Sequence, residues 1–259
     1  MKNSNKILLT LLVLTIILQL STMLYVRKIF INATQYSNDI DQTILLDLMD
    51  SEPSEKEFEI DNFDELTLKL KGNVIIKQSD EYKVTVKGPI ALLNSDYFHL
   101  STKGQTLHIE CPLTQQGNHD IYTIIEMPEL DRINASRDMD ILLEGFSEKH
   151  MKIKLTGECT LQGNNNQIDD LEIDTFGDVE VDFKNSSVDH ADLRSMGETR
   201  IGIEATDVNI RSLGESQYDL DMKGGKIKGS IIGEGNVIYS GEISKNSLNF
   251  LGPGKIRKK

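Results

Sequence analysis

Apolar and polar residues alternate with a period of two along most of the chain, and in its second half that alternation is itself repeated. The same unit recurs seven times: a β-run, a sharp point usually held by Gly, an acidic residue in all but the last, and a second β-run. The anchors are Arg137, Gly157, Gly177, Gly197, Gly214, Gly233 and Gly252, spaced 20, 20, 20, 17, 19 and 19 residues apart. Four residues before them stand Ile133, Ile153, Ile173, Leu193, Ile210, Gly229 and Leu248; four residues after stand Ile141, Leu161, Val181, Ile201, Tyr218, Val237 and Ile256. The columns between are polar, as in Lys152, Glu172, Asp192 and Asn209. Each repeat thus reads as two short strands with one apolar face.

A single such unit has nothing to bury that face against. Stacked units place equivalent residues about 4.8 Å apart and turn the columns into continuous aliphatic ladders. The expected fold is therefore all-β, a parallel β-solenoid, right-handed by general preference. A β-sandwich is the main rival, but it requires neither equal spacing nor column-wise agreement. Earlier in the chain, Leu66, Leu68 and Leu70 alternate with polar residues before a Gly72-Asn73 turn, and Tyr82, Val84 and Val86 precede Lys87-Gly88-Pro89. These are further strands bounded by turn chemistry.

The N-terminus has a different pattern. Ile7 to Val26 is an uncharged run of 20 residues flanked by Lys2, Lys6, Arg27 and Lys28. As a helix it is roughly 30 Å long, which matches a bilayer core. No small-x-small cleavage site follows it, which favours an uncleaved transmembrane anchor over a signal peptide. The expected organisation is an anchor over residues 1–28, an acidic stalk over 29–57, a leading β part over 58–130 and regular repeats over 131–257. The flanking charges hardly decide orientation; the acidic repeat body suits the extracytoplasmic side, periplasmic or cell-surface.

Composition narrows the function. A formal net charge of -13 argues against nucleic-acid partners. Trp is absent and aromatics make up 6% of residues, so stacking platforms are scarce. Cys111 and Cys159 fit no metal spacing; Cys159 falls at an inward position, and a disulfide between the two stays open.

These residues resemble a bacterial family. Phe63-Asp64-Glu65-Leu66 with its Gly-Asn turn, Lys87-Gly88-Pro89, Gly233-Glu234-Gly235-Asn236-Val237-Ile238-Tyr239-Ser240-Gly241 and Leu251-Gly252-Pro253-Gly254 are similar to the "putative auto-transporter adhesin, head GIN" domains (DUF2807) over roughly residues 58 to 257. The resemblance implies a β-helical cell-envelope protein with no established enzymatic activity. The family's Ser-Gly-Ser-Gly turns are replaced here by Phe-Gly-Asp, Met-Gly-Glu, Leu-Gly-Glu and Ile-Gly-Glu.

Two columns beside the anchors are candidate surfaces. Asp138, Glu158, Asp178, Glu198, Glu215 and Glu234 follow the anchors and would stack as a carboxylate ladder, either solvated or holding a cation such as Ca²⁺. The ladder lacks the ligand spacing of known loops, so no metal is assigned. Phe176, Met196, Leu213, Ile232 and Leu251 precede the anchors. Strict alternation would expose them as a partner stripe, whereas a corner at Gly would swing them inside; the corner is favoured. Arg194, Arg211 and Lys154 share an outward column with Asp174, and the histidines are scattered. No catalytic residue or cofactor is assigned. The expected function is a membrane-anchored envelope module, adhesive or structural, meeting glycans, proteins or copies of itself. A carbohydrate-active β-helix enzyme or glycan-binding protein is the alternative; a cleft with paired carboxylates beside Arg194 and Arg211 would favour it.

Overall fold

The computed structural model describes residues 48–49, 51–111 and 121–259. All of these belong to one compact unit, Leu48–Lys259. Its strands in chain order are β1 (Pro53–Phe58), β2 (Glu65–Lys69), β3 (Gly72–Gln78), β4 (Lys83–Pro89), then a four-residue helix α1 (Ile90–Leu93), β5 (His99–Lys103), β6 (Thr106–Glu110) and β7 (Ile121–Met127). β8 (Arg132–Ser136), β9 (Met139–Glu144), β10 (Ser147–Lys223), β11 (Lys226–Glu242), β12 (Lys245–Leu251) and β13 (Gly254–Lys258) follow.

β10 runs for 77 residues without a break and winds back over itself. Its first strand segments lie parallel on β8 and β9, Ile153 beside Ile133 and Leu161 beside Ile141. Further on, β11 pairs in parallel with it, Ile210 beside Gly229 and Tyr218 beside Val237, and β12 and β13 continue on β11. Side chains bond across coils at the repeat spacing: Asn166 Nδ2 donates to Ser186 Oγ at 3.0 Å, and Ser195 Oγ to Ser212 Oγ at 3.0 Å.

The register is held at the anchors. All seven have positive φ, from 88° at Arg137 to 138° at Gly252. A Cβ on Gly177, Gly197, Gly214, Gly233 or Gly252 would lie only 2.3–2.6 Å from the carbonyl oxygen of the glycine in the preceding coil. Each of these five corners therefore needs both the conformation and the missing side chain of glycine. Inside, Ile153, Ile173, Leu193, Ile210, Leu161, Val181 and Ile201 are all buried, each stabilising the stack by about 1.5–3 kcal/mol of transfer free energy before entropy is charged against it. The ladder also accommodates exceptions. Gly163 leaves the space that the Phe183 ring fills, and the buried Tyr218 hydroxyl is satisfied 2.7 Å from Ser195 Oγ.

The fold-class expectation needs correction in two respects. The strands form one 13-stranded mixed sheet, not a uniformly parallel one: β1 with β4, β4 with β7, and β5 with β6 are antiparallel. The order also departs from the chain, because β2 lies between β6 and β8, and β3 between β7 and β9. A short turn produces one of the reversals: β5 and β6 are joined through Gly104, with φ 64°, and a connection of that length allows only antiparallel pairing. Strands β1, β4 and β5 thereby cover edges that a parallel stack leaves open. Second, the transmembrane helix expected over Ile7–Val26 lies outside the described residues, and no described helix is long and apolar enough to cross a membrane; that element is not retained.

Smaller expectations are also resolved. Cys111 and Cys159 are both buried, and burial pushes the Cys159 thiol up to about 11. The basic C-terminal segment forms β13 and extends the stack by one more parallel strand.

Replacing Gly214 by Ala should cost about 2–4 kcal/mol in urea unfolding, combining strain and clash. Gly104→Ala, with positive φ but nothing within 4 Å of the added Cβ, should cost only about 1–2 kcal/mol.

Candidate interaction face

The corner glycines determine what lies beside them. Inward and outward positions continue to alternate on both sides, so Ser195 is buried, Met196 exposed, Glu198 exposed and Thr199 buried. The column before the anchors consequently points outward. Phe176, Met196, Leu213, Ile232 and Leu251 are 38 to 64% exposed, an apolar stripe running up successive coils. The corner reading favoured from sequence does not apply, because the positive φ turns the backbone without flipping the residue ahead of it. Four of these side chains, with Arg194 and Arg211, line a shallow depression of about 320 Å³.

On one flank of the stripe lies a charged network. Lys152 Nζ is 3.0 Å from Glu172 Oε2, and Arg194 is 3.0 Å from Glu172, 3.1 Å from Asp174 and 3.0 Å from Asp192. Arg211 also reaches Asp192. Hydrogen bonds from Lys152 and Arg194 hold the Glu172 carboxyl below its ordinary value, against a smaller opposing effect of burial. Lys154 Nζ sits 5.4 Å from the centre of the Phe176 ring, a cation–π contact worth about 0.5–1 kcal/mol at an exposed site.

On the other flank is the acidic ladder. Asp138, Glu158, Asp178, Glu198, Glu215 and Glu234 are all exposed, and Glu215 stands directly beside Glu234 in the sheet. Glu198 is paired with Arg200, and Asp138 lies 3.7 Å from Lys71. Like charges about 4.8 Å apart repel by roughly 1 kcal/mol in water, so splaying into solvent is enough to accommodate them. Among the described residues no three His, Cys, Asp or Glu side chains converge to hold a metal ion.

The arrangement around Arg194 and Arg211 does not resemble an acid–base pair. Such a pair requires one carboxyl raised towards neutrality and poised to give a proton. Here the carboxylates are tied to guanidinium and ammonium groups. A second groove, of about 280 Å³, contains Lys184, Arg200, Gly202 and Asp219. Burial tends to raise the Asp219 carboxyl, but hydrogen bonds from Lys184 and Lys259 outweigh it and keep the group low.

One cluster escaped the sequence reading. His150, Asp170, His190 and Asp207 occupy one outward column, with His150 Nδ1 3.0 Å from Asp170 and His190 Nδ1 3.5 Å from Asp207. Each stands seven residues before an anchor, a shared offset that aligning the histidines on the glycines would have exposed. His99 and His108 fall in β5 and β6, and His119 lies outside the described residues.

The sheet and its corner column define a family. The chain belongs to the family described as "putative auto-transporter adhesin, head GIN domain", whose sequence model matches residues 62–242. Among solved structures, a putative adhesin from Bacteroides fragilis is similar with a TM-score of 0.74 at 18% identity, covering 82% of this chain and 99% of that one. A putative adhesin from Parabacteroides distasonis gives 0.64 at 15% identity, covering 82% and 98%. A putative lipid binding protein from Parabacteroides distasonis gives 0.61 at 20% identity, covering 81% and 98%. At these identities the likeness concerns the fold alone. No curated protein matches the chain. Family membership places it among envelope-associated, adhesin-type proteins.

Glu172→Gln should lower the melting temperature at pH 7 by about 1–2 °C, the small size following from solvent exposure of the pair. Because the folded-state carboxyl lies below its unfolded value, its stabilisation is present above about pH 4.3 and fades as pH falls further. Melting curves of wild type and variant should therefore converge on acidification.

Proposed function

We propose that this protein is a non-catalytic adhesive module of the cell envelope that engages its partner through the apolar stripe. The observation that carries this reading is the stripe itself: five exposed apolar side chains in a single outward column, between columns that are polar. Scattered surface hydrophobes need no explanation, but a contiguous apolar row with polar margins is what an interaction site looks like. The coil architecture supports it further, since strands fix the row without the ordering entropy a loop-borne site would pay on binding. The absence of catalysis is supported by the pairing of every carboxylate around Arg194 and Arg211 with a cation. That same pairing weakens the carbohydrate-active alternative, which needs a carboxyl free to move a proton.

Beads coated with the full-length chain should adhere to purified bacterial envelope fragments. The double variant Met196→Asp with Leu213→Asp should reduce adhesion by about tenfold or more, as expected when apolar anchors at the centre of an interface are lost. Its circular dichroism and melting should stay close to wild type, because both side chains are already in solvent. Full adhesion by a folded double variant would refute this use of the stripe.

A further inference from the structure

We infer that the partner fitted by the stripe is a second copy of this chain, docked about a two-fold axis parallel to the stack, so that each coil faces the same coil of its twin. The inference rests on the proposed role of the stripe as a contact surface and adds the identity of the occupant.

The argument is one of charge placement. Two residues before the stripe lies the column Lys154, Asp174, Arg194 and Arg211, net basic although both arginines also bind carboxylates of their own chain; two residues after it lies the ladder Glu158, Asp178, Glu198, Glu215 and Glu234. Among the described residues Glu158, Asp178, Glu215 and Glu234 have no ion-pair partner within the chain, whereas Lys154 makes only its contact with the Phe176 ring. An isologous contact brings the same patch of both copies together. If the two-fold axis runs along the stripe, rotation exchanges its two flanks. The acidic ladder of each copy then faces the net basic column of the other, with Asp174 opposite Asp178 the one unfavourable pair and apolar side chains meeting between the flanks. If the axis runs across the stripe, ladder faces ladder and cations face cations. Electrostatic complementarity therefore selects the parallel arrangement and disfavours the antiparallel one.

The same geometry limits affinity. A net charge of -13 on each copy opposes approach. A dissociation constant of about 10–100 μM is expected.

Sedimentation equilibrium of the full-length chain should show a monomer–dimer equilibrium in that range, abolished by Met196→Asp with Leu213→Asp. Single-cysteine variants at Met196, Leu213 and Ile232 should each form a disulfide with the same position of the twin upon oxidation. In an antiparallel pair at most one of the three would. Two charge variants complete the test: Glu158→Lys with Glu215→Lys, and Lys154→Glu with Arg211→Glu. Each should be monomeric alone, and mixing them should restore a mixed dimer, which also shows that both remain folded. A chain that stays monomeric to 1 mM, or a dimer indifferent to these substitutions, overturns the inference. If the chain is monomeric yet the Met196 and Leu213 variant still loses adhesion, the stripe serves a different partner and only the identity of the occupant fails. If the dimer behaves as described but adhesion survives the double variant, the adhesive reading fails and the self-association stands.

Discussion

Successive coils meet at their corners through backbone alone, and this contact governs the rest of the structure. Five glycines approach the carbonyl of the glycine in the preceding coil so closely that a methyl group would not fit. The positive φ at these positions turns the chain, and the missing side chain lets neighbouring turns come together at sheet spacing. With the corners superposed, everything at a fixed offset from them is superposed too. The aliphatic ladder inside, the carboxylates on one flank, the charged network on the other and the apolar stripe between them are all consequences of one register.

The coil that steps from Gly197 to Gly214 in only 17 residues shows how local the constraint is. Both glycines remain in the column, and the bond from Ser195 to Ser212 keeps the shortened coil in line. The lost residues come from elsewhere in the turn: Asp182, Gly202 and Asp219 all keep their place five residues after an anchor, and His190 and Asp207 theirs seven before one, so the shortening falls between those two offsets. A conserved corner with a variable remainder explains why spacing alone can drift while the columns hold.

Much of this was legible in the sequence because glycine at a fixed interval is a physical requirement rather than a statistical tendency. The inward columns around Ile153, Ile173 and Leu193 follow directly from the alternation once the anchors are aligned. The leading strands were less legible. Whether β2 pairs with β6 or with its chain neighbour depends on contacts across tens of residues, and alternation within a strand carries no information about which edge it joins. The side of the wall on which the stripe lies is not legible in the sequence, because a glycine corner can either preserve or break the in–out alternation, and only the backbone conformation at corners such as Gly197 decides. The column of His150, Asp170, His190 and Asp207 was missed for a different reason: its residue types alternate, so it does not resemble a repeat until it is stacked.

The register can be measured by oxidation of cysteine pairs placed on the outer face. Glu180→Cys combined with Arg200→Cys puts two thiols on adjacent coils at the same offset from Gly177 and Gly197, within the Cα separation that a disulfide tolerates. That pair should close nearly completely in the folded protein, while Glu180→Cys with Glu198→Cys or with Gly202→Cys should stay reduced under the same conditions. Preferential closure of either shifted pair would mean that the corners do not lie on one another, and would contradict the account.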